Sequence, residues 1–119
     1  MMQLTHLHVG VRDLPRAKRW FQDILTCEPS LATPKLASFA LGAVAVVLEA
    51  ADDDLPITLA ITAQSCDATH AELVRRGATS MTAPSDKPWG VRSAYLQGPG
   101  RITLEIEEAS AVSNAPASL

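Results

Sequence analysis

One pattern occurs twice in this chain and limits its fold more than any other feature. It is a strand, a tight corner and an amphipathic helix, first over residues 5–25 and again over residues 57–76. In the first copy Leu7, Val9 and Val11 alternate with His6, His8 and Gly10. That is the period of a strand with one apolar face and one face bearing two imidazoles. Asp13 stands where its carboxylate can accept a bond from a free N–H of the first helical turn. Pro15 fits that turn, where a missing N–H costs nothing. Leu14, Ala17, Phe21, Ile24 and Leu25 follow at helical spacing and give the helix one apolar stripe. In the second copy residues 57–63 form the strand and Asp67 is the expected N-cap. Residues 68–76 form the helix, with Ala71, Leu73 and Val74 inward, and Gly77 sits where a left-handed C-cap is wanted.

Three strand-like stretches follow each helix. After the first come residues 26–34, a short strand or turn, then strands over 35–41 and 43–50 with Gly42 at the corner. Asp52, Asp53, Asp54 and Pro56 make a polar break, the best linker in the chain. After the second helix come a strand over 78–83, a loop over 84–90 that holds Trp89, and strands over 91–97 and 101–107 joined by Gly98-Pro99-Gly100. The boundaries are therefore a first βαβββ module over residues 1–52, a second over 53–107, and a flexible tail over 108–119. A half-chain of about fifty residues cannot bury a core alone, but two can build one curved mixed sheet with the helices on one face. The fold class is α+β, with a cavity on the face that the helices leave open.

The bulk composition agrees with one globular domain: 119 residues, 47% apolar, 19% charged. Net charge is −3 and no Lys/Arg run exceeds two residues, which argues against nucleic acid as partner. The most apolar run, residues 39–48, is too short to span a bilayer, and the N-terminus enters a strand pattern without a signal peptide. Cys27 and Cys66 form no metal-type pair and read as reduced thiols of a cytoplasmic protein.

The opening HLHVGVRDLPRAKRWFQDIL resembles the start of the vicinal oxygen chelate superfamily: glyoxalase I, bleomycin resistance proteins, fosfomycin resistance enzymes and extradiol dioxygenases. DATHAELVRRGA and WGVRSAYLQGPGRITLEI resemble its second module, so the likeness covers roughly residues 4–107. The resemblance implies paired βαβββ modules around a cavity, in a homodimer that binds a small molecule. Carried over position by position, it implies metal ligands at His6, seven residues before Asp13, and at Glu49 and Glu105. The fourth position falls on Thr58, where metal-dependent members commonly have His. The usual Asp-Pro-Asp-Gly turn is Gly98-Pro99-Gly100-Arg101 here, and the usual Leu-Gly after the first helix is Leu25-Thr26.

Strand periodicity adds a set of lining residues. His6 and His8 share a face, Thr103, Glu105 and Glu107 share a face, and Ser93, Tyr95 and Gln97 lie opposite Ala94 and Leu96. His8 and Thr58 are expected to line the ligand, with His8 about 6–7 Å along the strand from His6. Trp89 is read as a hydrophobic plug or a cap over the ligand, Arg92 as a salt bridge or an anion contact, and His70 as solvent-facing. Tyr95 and Glu107 complete the substrate contacts.

Two functions stay open at this level. In one, His6, Glu49 and Glu105 hold a divalent zinc, iron, manganese, nickel or magnesium ion that acts on a substrate with neighbouring oxygens, and Glu105 and Glu49 move protons in a lyase, isomerase or dioxygenase. In the other, the metal is absent because Thr58 replaces the second His, and the protein sequesters a cationic, aromatic drug or metabolite in an acidic groove, as bleomycin resistance proteins do.

Overall fold

The computed structural model describes residues 3–109. Its strands and helices follow the repeated order β1 (His6–Val11), α1 (Leu14–Asp23), β2 (Leu31–Ala32), β3 (Leu36–Leu41), β4 (Val44–Ala50), then β5 (Ile57–Ala63), α2 (Cys66–Arg75), β6 (Thr79–Asp86), β7 (Arg92–Gln97), β8 (Ile102–Glu108). The strands of each repeat hydrogen-bond among themselves, so the expected curved sheet is built as two four-stranded sheets, ordered β1-β4-β3-β2 and β5-β8-β7-β6. The compact units are Met1–Ile57 with Pro99–Ile102, and Thr58–Gly98 with Thr103–Leu119. No helix among the described residues is long and apolar enough to cross a membrane.

In the first unit the helix forms as its sequence requires. Asp13 accepts from the Arg16 N–H at 3.1 Å, and Pro15 lies in the first turn. Leu14, Ala17, Phe21 and Ile24 are buried with Val9, Val11, Ala37, Phe39, Val46 and Leu48. β1 runs parallel to β4, with His8 opposite Val47 and Gly10 opposite Glu49. Gly10 is buried, and a Cβ there would meet Ala51 Cβ at 3.0 Å and Leu55 Cδ1 at 3.1 Å. The corner after α1 puts Thr26 at φ 50. That left-handed backbone explains why glycine is the usual residue there; a β-branched side chain holds it under strain.

The second unit departs from expectation in three places. Its helix starts two residues early: Ser65, not Asp67, is the N-cap, and its hydroxyl accepts from the Ala68 N–H at 3.1 Å. The buried residues of this helix are Cys66 and Leu73, while Ala71 and Val74 are exposed. The strand expected to stop at Ala83 continues as β6 to Asp86, through Pro84. Proline is tolerated because β6 is an edge strand, and the register shifts on either side of Thr82. The tail begins later than expected, since Glu108 is still in β8 and the Ala109 N–H donates to the Ala63 carbonyl at 2.7 Å. The rest of that tail, 110–119, lies outside the described residues.

Candidate ligand-binding faces

Each sheet has one face against its helix and one polar face. On the first sheet, His6 and His8 of β1 lie on the face opposite Val9 and Val11, and Glu49 joins them from β4 through its register with Gly10. His8 Nδ1 stands 3.3 Å from Glu49 Oε1, with both side chains about half exposed. The His6 and His8 rings meet edge to face at 5.0 Å between centroids. They are closer than strand rise alone predicts, because the side chains lean together. His6 Nδ1 is 2.8 Å from Thr5 Oγ1.

The polar face of the second sheet is set by an antiparallel register that places Tyr95 opposite Glu105, Ser93 opposite Glu107 and Gln97 opposite Thr103. The alternate residues Ala94, Leu96, Leu104 and Ile106 are buried, and Cys66 of α2 reaches the Ile106 carbonyl on that side. Burial, with the Asp67 and Glu108 carboxylates nearby, pushes the Cys66 thiol up from its ordinary value. Glu105 stands directly across the ladder from Tyr95, and its negative charge, then burial, raise the phenol above its ordinary value. The Tyr95 N–H donates to Thr82 Oγ1 at 3.2 Å. Thr58 is exposed on β5.

The surroundings of four further residues are defined. Arg92 lies on the side of Ala94 and Leu96, toward α2, where it clamps Asp67 through two bonds of 2.9 Å and Asp86 at 3.2 Å. Its hydrogen bond holds the Asp67 carboxyl below the usual range. This is the salt-bridge alternative for Arg92. Trp89 is 67% exposed and so plugs no core. His70, expected to face solvent, is half-buried with Nε2 2.8 Å from Ser80 Oγ. Ser93, grouped with the lining residues, is fully buried.

Tyr95 is the chain's single tyrosine, so its tyrosinate absorbance can be followed alone. Its titration midpoint is expected above that of a free phenol, and Glu105→Gln should bring it back toward that value. A midpoint that ignores the substitution would contradict the influence of the Glu105 charge on Tyr95.

At the expected metal positions Glu49 is paired with His8, Glu105 stands opposite Tyr95, and the fourth position is a neutral threonine hydroxyl, a weak ligand for a transition metal. Among the described residues no three His, Cys, Asp or Glu side chains gather as a group that could hold a metal ion.

Comparison with known proteins bears on the fold. The family profile described as Glyoxalase/Bleomycin resistance protein/Dioxygenase superfamily matches residues 3–106. Among solved structures, a glyoxalase/bleomycin resistance protein/dioxygenase from Nocardioides is similar at TM-score 0.81 and 21% identity, over 93% of this chain and 85% of that one. A glyoxalase-related enzyme from Fulvimarina pelagi is similar at TM-score 0.77 and 14% identity, over 92% and 89%. A lactoylglutathione lyase from Agrobacterium tumefaciens is similar at TM-score 0.76 and 18% identity, over 90% and 93%. No curated protein matches the sequence.

Proposed function

The chain belongs to the glyoxalase/bleomycin resistance protein/dioxygenase superfamily, and from that premise we propose that it binds a small organic cation on the polar face of its second sheet without a metal ion. The observation that supports this reading is the pairing of Glu49 with His8, beside the cross-strand placement of Glu105 and Glu107 next to the single tyrosine. A carboxylate already engaged by a neighbouring side chain must break that contact to bind an ion, and Thr58 gives nothing comparable in return. The same carboxylates suit a cation well. Glu105 and Glu107 stand side by side on β8, opposite Tyr95 and Ser93, so an ammonium would meet negative charge beside an aromatic ring. The protein then holds its ligand and does no chemistry on it.

A homodimer in the cytoplasm belongs to the same proposal. The sequence resemblance implies the pair of chains, and Cys27 and Cys66 are free, as a reducing compartment keeps them.

Titration calorimetry with benzylamine as cation and benzoate as anion tests the reading. Benzylamine should bind, Glu105→Gln should weaken it roughly tenfold through loss of a charged acceptor, and benzoate should not compete. Benzoate binding in preference to the amine would overturn it. Turnover of a substrate that depends on an added divalent ion would favour the lyase, isomerase or dioxygenase reading instead.

A further inference from the structure

The turn after β6 places a cation of the protein's own on the second polar face. Lys87 Nζ lies 5.8 Å from the centroid of the Tyr95 ring, near the outer limit of the cation–π range. It donates to Ser85 Oγ at 3.0 Å. Its backbone is fixed by the Lys87 N–H on the Val91 carbonyl at 2.7 Å, and by the Gly90 N–H on the Lys87 carbonyl at 3.0 Å. The turn thus delivers this side chain from a held position.

The register builds the surface beneath it. Ser85 is opposite Ser93 and Thr82 opposite Tyr95 on one side, while Glu107 and Glu105 oppose Ser93 and Tyr95 on the other. Directly opposed residues share a face, and so do residues two apart on a strand. Ser93 is fully buried, and its hydroxyl has no hydrogen-bond partner among the described residues. Such a group is uncommon and costly, because burial strips its water without a replacement. One small area therefore holds an aromatic face, two carboxylates and an unused hydroxyl. The group already over it is a primary ammonium on an alkyl stem.

We propose that Lys87 is a resident stand-in for the ligand. A primary ammonium on an organic ligand displaces Lys87 from the Tyr95 ring, takes the neighbouring carboxylates as acceptors and, once that displacement opens the buried Ser93 hydroxyl to it, Ser93 Oγ as well, and pays for the displacement in affinity. Lys87 thereby sets the threshold at which the site fills and selects ligands whose ammonium outcompetes its own. The inference rests on the proposed organic-cation function and adds the subsite and its internal competitor.

The test is benzylamine binding by calorimetry to the full chain, its Lys87→Met variant, and Lys87→Met combined with Ser93→Ala. Methionine keeps the stem length and removes the charge. Lys87→Met is expected to bind about five- to tenfold more tightly, the range of one exposed cation–π contact plus a hydrogen bond. Adding Ser93→Ala should return most of that gain, while N-methylation of the probe to benzyltrimethylammonium, which has no N–H to donate, should remove the dependence on Ser93. Equal or weaker amine binding by Lys87→Met, beside clear binding by the wild type, overturns the competitor role and leaves the organic-cation function standing. No binding to wild type or to either variant overturns both. Benzoate binding that is lost in Lys87→Met overturns both as well, because Lys87 would then be an anion's anchor.

Discussion

Phe39→Ala is expected to lower the stability of the first unit by about 3–5 kcal/mol, the usual cost of removing a buried aromatic ring. Phe39 and Phe21 are fully buried, and their rings stack tilted with centroids 4.8 Å apart. They join α1 to β3, so truncation removes an aromatic contact between helix and sheet and leaves a cavity that neighbouring aliphatic side chains fill only in part. Trp20, whose ring is 5.7 Å from that of Phe21, reports the event through its fluorescence in a denaturant titration. A midpoint shift worth less than about 1 kcal/mol would contradict the packing, because only a site able to collapse fully loses so little.

Gly100→Ala is expected to cost about 2–3 kcal/mol, from two separable sources. Gly100 has φ +60, and a Cβ there would lie 2.7 Å from Asp54 Oδ1 and 3.0 Å from Asp54 Cγ. That same Asp54 oxygen accepts the Arg12 N–H at 2.9 Å, so it cannot yield without loosening the corner after β1. Gly42→Ala is the control: its φ is +66 but nothing lies within 4 Å of the added Cβ. It carries the backbone penalty alone, about 1–2 kcal/mol. The difference between the two variants measures the Asp54 contact, and equal costs would show that the contact is not made.

How much of this was legible in the sequence depends on whether a feature is local. The first helix was readable because Asp13, Pro15 and the stripe from Leu14 to Ile24 all act within one element. The alternation of Ile102, Leu104 and Ile106 with Thr103, Glu105 and Glu107 was readable for the same reason. The start of α2 was missed because Ser65 and Asp67 are both good caps, and only the Arg92 clamp on Asp67 shows which of them is free to cap. The continuation of β6 through Pro84 depends on that strand lying at the sheet edge, which no local pattern states. Periodicity assigned Ser93 and Tyr95 to one face, but face assignment does not say what covers a residue, and Ser93 is buried while Tyr95 is half-exposed. Lys87 gave no signal at all. A lysine in a Pro-flanked loop reads as solvated until the register brings Tyr95 beneath it. The pairing of Glu49 with His8, which supports the metal-free reading, likewise depends on register between two strands far apart in sequence.

The most direct test is the thermal midpoint of chelator-treated protein, measured alone and with increasing zinc, iron, manganese, nickel or magnesium. An ion that binds only the folded chain must raise the midpoint in step with its concentration and affinity. The proposed metal-free site predicts no rise with any of the five, and a rise with benzylamine. A midpoint that climbs with one divalent ion, and no longer does so in His6→Ala and Glu105→Gln, would contradict it.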